Sequence, residues 1–187
     1  MALELNGTTG VSLVQDGVVT AADLSSTLDL SGKTVTLPSG VGGKVLNVVN
    51  NTYSTDTAIN STSYIDSGLL GVITPTSTSS KILVLIQLAV RISGTLDHGA
   101  SFKVERDNNS TTTDIWASAG LLDSYIYAGG ASIDSRRREG WVVLDTPNTT
   151  NELDYRIYAR SMRTDNNNDC HLHDNSTSTI TLMEIAG

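Results

Sequence analysis

The residues with the greatest potential for chemistry lie near the C-terminal end, in the stretch "NDCHLHDN". His171 and His173 stand two positions apart, so on a β-strand their side chains would point to the same face, and Cys170 adds a further metal-binding group. This spacing is too short to be diagnostic of a metal site, and the surrounding Asn and Asp residues are typical of a polar loop. We therefore predict a polar hairpin tip, keep metal binding by His171 and His173 as the weaker alternative, and expect no cofactor.

A second group of reactive residue types surrounds His98 in "GTLDHGASF", where Asp97 and Ser101 are close in sequence. A Ser-His-Asp site requires a geometry that closeness in sequence does not establish. The chain contains no nucleophile elbow, no phosphate-binding glycine loop and no paired metal motif. We therefore expect that the protein is not an enzyme.

Three consecutive arginines, Arg136, Arg137 and Arg138, stand in the otherwise acidic context "DSRRREGW". One interpretation is a solvated turn before a strand at Trp141. The other is a basic edge that contacts an acidic surface on a partner protein or a neighbouring protomer. Outside the N-terminal segment this run is the best candidate for an interaction site.

The aromatic residues Trp116, Tyr125, Tyr127 and Trp141 could stack on sugar rings. Aromatic residues are only 5% of the chain, so most of them should be needed in the core or at a subunit interface. Tyr125 and Tyr127 are the first choice for contacts with a glycan.

The elements that must position these residues begin near Lys44. Short β-branched segments alternate there with turns rich in Asn, Gly, Ser and Thr, and the predicted strands are "KVLNVVN", "SYIDSGLLGVIT", "KILVLIQLAVRI", "SFKVERD", "EGWVVLDTPNTT", "LDYRIYARSM" and "STSTITLMEIAG". This pattern predicts an all-β fold, a β-sandwich or jelly roll. One stretch, "ASAGLLDSYIYA", is predicted to hold a short helix.

Two of the predicted strands differ in their apolar patterns. In "LDYRIYARSM" apolar and polar residues alternate, which predicts a half-exposed strand. In "KILVLIQLAVRI" both alternating sets are apolar, which predicts burial on both faces. A trimer that hides one sheet at its threefold axis would account for the second apolar face.

The first 40 residues differ from the rest, because short apolar pairs are separated there by Gly, Ser, Thr and Asp. Such a segment has too little apolar surface to form its own core, and ordering it costs about 1–2 kcal/mol per residue in backbone entropy. We therefore predict an extended attachment arm over residues 1–40 and a β domain over residues 41–187. The apolar residues expected to anchor the arm on a partner are Leu3, Leu5, Val11, Leu13, Val14, Val18 and Leu24.

Composition excludes several classes of function. The net charge of -8 and the sequence pI of about 4.6 oppose nucleic-acid binding. The longest apolar run, 82–90, is interrupted by Gln87 and is too short to cross a bilayer, so no membrane partner is expected. The chain start shows no charged segment followed by an apolar one, so we expect no secretory signal. A single cysteine excludes an intrachain disulfide.

Several segments together resemble virion structural proteins of tailed bacteriophages, especially those of cyanophages and marine phages. The segments are "TVTLPSG", "GKVLNVVN", "TSYIDSGLLGVITPTSTSSKILV", "GWVVLDTPNTTNELDYRIYARS" and "STITLMEIAG", which cover most of residues 34–187. The resemblance implies an N-terminal attachment segment followed by a compact β domain, usually a homotrimer. Such proteins serve as capsid-decoration (cement), tail-fibre or receptor-binding proteins on the outer surface of the phage particle.

The chain has no heptads and no shaft repeat, which favours a short decoration protein over a long fibre. Its expected partners are other copies of itself and either the major capsid protein or a tail protein. One alternative is a short tail fibre or receptor-binding protein that recognises a cell-surface glycan. A second is a free lectin-like binding module, which would gain nothing from an attachment arm.

Overall fold

The computed structural model describes residues 44–118, 124–164 and 168–187. In these ranges the chain forms strands and no helix, so the all-β prediction is confirmed. The strands are β1 (Val45–Tyr53), β2 (Thr57–Ala58), β3 (Ile65–Ile73), β4 (Lys81–Gly94), β5 (His98–Asp107), β6 (Thr112–Ala117), β7 (Ser124–Ile126), β8 (Ile133–Asp145), β9 (Leu153–Ser161), β10 (Asn168–Leu172) and β11 (Ser178–Ile185). The predicted arm and its seven apolar anchors lie outside the described residues.

The strands form two antiparallel sheets. In the first sheet the long strand β4 is central, with β8 along one side and β11 followed by β10 along the other. Strand β1 extends this sheet beyond β11, and β2 extends it beyond β10. The second sheet has the order β3-β9-β5-β6, and β7 pairs with the beginning of β5. Together the sheets make the predicted β-sandwich.

Alternating side chains of both sheets build the core. On β9, Leu153, Tyr155, Ile157 and Ala159 are fully buried and the residues between them are partly exposed, as the alternation in the sequence predicts. The ring of Phe102 lies 5.0 Å from that of Trp141, which in turn lies 5.1 Å from Trp116. Both tryptophans therefore pack against the core.

Three local predictions were wrong. Part of the predicted helix, Ser124–Ile126, is strand β7, because these residues pair with the start of β5; residues 119–123 of that stretch lie outside the described residues. The arginine run lies inside strand β8 and not in a turn. The first five residues of "NDCHLHDN" form β10, which pairs with the second half of β4.

A buried polar network connects the two sheets at one end. The carboxylate of Asp145 on β8 accepts hydrogen bonds from Arg106 Nη1 at 2.8 and 2.7 Å and from the Tyr155 hydroxyl at 2.8 Å. The backbone N–H of Thr146 donates a further bond at 2.9 Å. Burial, followed by the negative charge of Asp145, raises the pKa of Tyr155 well above its ordinary value. The network therefore places one carboxylate of the first sheet between an arginine and a tyrosine of the second.

The polar linker between β3 and β4 has a structural task. The backbone N–H and the hydroxyl of Thr76 and the hydroxyl of Ser80 all donate to Oε1 of Glu184, each at 2.7 Å. Burial of Glu184 opposes its ionisation, but these hydrogen bonds outweigh burial and lower the pKa of Glu184. The short hydroxyl residues of the linker thus allow a carboxylate to be buried beside the apolar strand β4.

Candidate functional site

The outward surfaces of the two sheets differ in chemistry. On the second sheet, the ammonium of Lys103 contacts the carboxylates of Glu105 at 2.7 Å and Asp114 at 2.8 Å, and it lies 4.9 Å from the ring centroid of Tyr158. Arg156 makes two further ion pairs on the same face. Charged side chains with nearby partners are stable in contact with water, so this face requires no covering protein.

The outward surface of the first sheet carries an apolar row that crosses four strands. Leu83 on β4 is paired with Leu144 on β8 and with Met183 on β11, and Met183 is paired with Val48 on β1. Residues directly opposite each other in antiparallel strands project on the same side of a sheet. The four side chains Val48, Met183, Leu83 and Leu144 therefore stand side by side.

Two further pairs extend this row along the strands, in opposite directions. Leu85 and Val142 are paired two residues beyond Leu83 and Leu144, and Val45 and Ile185 are paired beyond Val48 and Met183. We call these two pairs and the row of four the apolar face. Val48, Val142 and Leu144 are 53%, 68% and 54% exposed. Scattered apolar residues are ordinary on protein surfaces, whereas contiguous apolar patches are enriched at interaction sites, so we take the apolar face as the candidate functional site.

The apolar face also explains the composition of β4. Its even-numbered residues, such as Ile82 and Val84, are fully buried in the sandwich, but Leu83 and Leu85 are only partly buried and Gln87 is exposed. The prediction that β4 is buried on both faces was therefore wrong for the single chain. Its second apolar set is the centre of the apolar face.

The other half of the same surface carries ion pairs. The guanidinium of Arg91 binds Asp134 through bonds of 2.9 and 3.2 Å, and Arg136 Nη1 lies 2.8 Å from Oδ2 of Asp174. The hydrogen bond from Arg91 lowers the pKa of Asp134. The outward surface of the first sheet thus consists of an apolar half beside a half that contains both signs of charge.

The three arginines do not form one basic edge, which corrects that interpretation. Strand alternation directs Arg136 and Arg138 to the outward surface, where Arg138 donates to the carbonyl of Thr177 at 2.8 Å. Arg137 points to the other side of β8 and donates to Ser135 Oγ at 2.9 Å. Arg136, which is already paired with an acid of its own chain, and Arg138 are therefore part of the mixed-charge half.

The two histidines proposed as the weaker metal alternative do not share a face. His171 lies on the outward surface, with Nδ1 2.8 Å from Oδ1 of Asp56. His173 follows the end of β10 with a φ of 63° and is fully buried between the sheets. Its Nδ1 lies 2.7 Å from the Ser178 hydroxyl and its Nε2 lies 3.0 Å from the Ser67 carbonyl. In the described ranges no three potential metal ligands group together.

We expect the stability of the protein to fall as the pH decreases from about 6.5, the ordinary pKa of histidine. Burial lowers the pKa of His173, against the weaker effects of Ser67 and Asp56. The unfolded chain therefore binds a proton at a pH where the folded chain does not, and the loss ends below the folded pKa. Urea unfolding at pH 7.5 and 5.5 should show a smaller loss of stability for His173→Gln than for the wild type. Equal losses in His173→Gln and the wild type would contradict the assignment.

The residues around His98 do not assemble as a catalytic site. His98 is fully buried, with Nε2 3.2 Å from the Ser161 hydroxyl oxygen. The carboxylate of Asp97 accepts the backbone N–H of Ala128 at 3.0 Å. Ser101 is three positions from His98 on β5 and so belongs to the opposite face of that strand. That the protein is not an enzyme remains a prediction.

Tyr125 and Tyr127 are both exposed, Tyr127 to 74%. They lie on and just after the short strand β7, beside the turn that contains Gly129 and Gly130. Partial burial and a hydrogen bond with Asp97 raise the pKa of Tyr125. The pair thus offers two aromatic rings next to a carboxylate, the residue types that contact sugars, at a site separate from the apolar face.

No protein-family model matches the chain, and no curated protein matches it. Among solved structures, the chain is similar to the structure of infectious bursal disease virus Gx strain (TM-score 0.36, 9% identity, 81% of this chain and 43% of that chain). It is also similar to the infectious bursal disease virus VP2 subviral particle (TM-score 0.37, 13% identity, 86% and 40%). The chain spans less than half the length of these neighbours. The likenesses are weak, and the fold assignment rests on the strand pairing itself.

Within the described ranges no helix is long and apolar enough to span a membrane.

Proposed function

We propose that the protein is a structural component of a tailed-phage virion, a capsid-decoration (cement) protein on the outer surface of the particle. The observation that carries this proposal is the apolar face, which crosses four strands of one sheet while the other sheet is covered with ion pairs. Apolar surface is most costly when it remains in water, so a protein that exposes a contiguous patch is typically a subunit of an assembly.

In this function the β domain and the arm have separate tasks. The β domain associates with other copies, as a homotrimer by analogy with the resembling virion proteins. The arm over residues 1–40 then lies across subunits of the major capsid protein. Three linked arms bind with an effective affinity that can exceed that of one arm by a factor on the order of 10²–10⁴. Weak individual contacts would therefore hold a capsid lattice firmly.

The test is to locate the protein on purified phage particles by immunogold electron microscopy. Label at regular positions over the head is the expected result. Label confined to the tail would overturn the decoration proposal and favour a tail protein. Deletion of residues 1–40 should leave the β domain folded, with the circular dichroism of a β protein, but should abolish binding to particles.

A second candidate function is a short tail fibre or receptor-binding protein, and the exposed tyrosine pair favours it. In that case Tyr125 and Tyr127 would stack on the sugar rings of a cell-surface glycan. Binding to host cells should then fall in the Tyr127→Ala variant. Tyr158→Ala is the matched control, because Tyr158 lies on the outward surface of the second sheet beneath Lys103. Equal binding by wild type and Tyr127→Ala would remove this candidate site.

A further inference from the structure

We infer that the apolar face packs against the apolar faces of neighbouring copies of this chain, at the axis of the proposed homotrimer. This inference deepens the proposed function, on which it rests, because it names the partner of the same surface. The apolar face is built from eight apolar side chains, and polar residues border it: Lys81 lies beside Ile185, and Asn50 and Thr181 continue the row of Leu85 and Val142. Its centre is the row of Leu83, Leu144, Met183 and Val48 on adjacent strands. The same side chains of a neighbouring copy could cover this row and remove its apolar surface from water.

The size of the face is consistent with the centre of a protein interface. Strands lie about 4.8 Å apart and alternate residues about 7 Å apart, so the row of four is roughly 15 Å long, and one apolar pair extends it by about 7 Å in each direction along the strands. A standard interface buries about 800 Å² on each partner. The apolar face is therefore too small to be the whole interface, and the mixed-charge half must be included as a polar rim.

The mixed-charge half favours a second copy as the occupant. It contains two arginine–aspartate pairs, Arg91 with Asp134 and Arg136 with Asp174, and also Arg138. A copy that presents the same surface carries both signs of charge, so it can approach these intrachain pairs without a net repulsion. A partner with a surface of one sign would be repelled by half of these groups.

The arginines also oppose one other way in which copies could associate, through the edge strand β8. Among the described strands β8 pairs with β4 alone, so two copies could join β8 to β8 and form a continuous sheet. An antiparallel pair centred on Arg137 would place the arginines of one copy opposite those of the other, and like charges directly opposite destabilise a pair. Association through the apolar face avoids this repulsion.

Light scattering of the full-length chain over a range of concentrations tests the inference. The wild type should form an oligomer, and Val142→Lys should weaken its association by about 100-fold or more, since a lysine would be buried in the apolar contact. Thr112→Lys is the matched control, because Thr112 is an exposed residue on β6, an edge strand of the second sheet. The Thr112→Lys variant should associate like the wild type. A wild type that is monomeric throughout, or equal weakening by both variants, would overturn the inference.

Cross-linking provides a second measurement that does not depend on the lysine variant. The single cysteine of the chain, Cys170, is buried, and burial raises the pKa of its thiol to about 12, so it reacts slowly. A cysteine introduced as Leu144→Cys would be the reactive thiol, and a short bis-maleimide should join copies of this variant. The same reagent should not join copies of Thr112→Cys. If no cross-linked species forms with Leu144→Cys, or if both variants are cross-linked equally, the inference is overturned.

The two proposals fail separately. A monomeric protein that still decorates phage heads would overturn the inference and the homotrimer but leave the decoration role, with the capsid protein as occupant of the apolar face. An oligomer that depends on Val142 but is absent from particles would support the inference and overturn the proposed function.

Discussion

Replacement of Asp145 by Asn is expected to lower the free energy of unfolding by about 3–5 kcal/mol, the range for removal of one partner of a buried ion pair. The carboxylate of Asp145 accepts hydrogen bonds from Arg106 and from the fully buried Tyr155, and only small fractions of the Asp145 and Arg106 side chains are exposed. In the variant the arginine cation would remain between the sheets without its counter-charge. Urea unfolding at pH 7, followed by circular dichroism, measures the loss.

Asp134→Asn is the matched control for this prediction. Asp134 makes a bidentate ion pair with Arg91, but about half of its side chain is exposed, so the loss of this pair should cost far less than the loss of Asp145. The loss of stability in Tyr155→Phe should lie between those of the two aspartate variants, at about 1–2 kcal/mol, because this change removes one hydrogen bond and leaves the ion pair intact. Similar losses for Asp145→Asn and Asp134→Asn would show that the network does not hold the sheets together.

Replacement of Gly68 by Ala is expected to cost about 2–5 kcal/mol, as the sum of two effects. The φ of Gly68 is 85°, a conformation that costs an L-residue roughly 1–2 kcal/mol. An added Cβ would also lie 2.5 Å from Cζ of Tyr53, and such overpacking costs about 1–3 kcal/mol. The ring of Tyr53 packs edge-on against His173, at 4.9 Å between ring centroids, so it cannot move away freely. Thermal and urea unfolding measure the cost.

Gly130→Ala separates the two effects. Gly130 has a nearly identical φ of 87°, but an added Cβ would meet no atom within 4 Å, so this variant should show the backbone cost alone. Combining Gly68→Ala with Tyr53→Ala should recover the part of the loss due to the clash, which a double-mutant cycle isolates. If Gly68→Ala lowers the free energy of unfolding no more than Gly130→Ala does, the ring of Tyr53 moves aside and the packing argument is wrong.

The strand pattern of the sequence was sufficient for the fold class and for several strands. Successive side chains on a strand point to opposite sides, so the alternation of Leu153, Tyr155, Ile157 and Ala159 with polar residues predicts which face of β9 is buried. That rule depends only on neighbours in the sequence, and the structure confirms it. The same rule, applied to three consecutive arginines, could have shown that Arg137 would be separated from Arg136 and Arg138.

The predictions that failed depend on partners that are distant in sequence. Strand β10 is rich in Asn, Asp and His and resembles a loop, yet it pairs with β4 some 80 residues earlier. His171 and His173 are directed to different sides because β10 ends at Leu172 and the backbone turns at His173. The charge of Asp145 is matched by Arg106, and no short spacing in the sequence indicates that contact.

The sequence by itself determined that the protein is an all-β sandwich with a β4 that is apolar on both sides, because side-chain alternation along a strand is a local property. Only the tertiary structure decided what the second apolar side of β4 does. Strand register is set by pairing between distant segments, and it aligns Val48, Met183, Leu83 and Leu144 in one row. A row assembled from four strands has no signature in any one of them, and for that reason the candidate interface became visible only in the folded sheet.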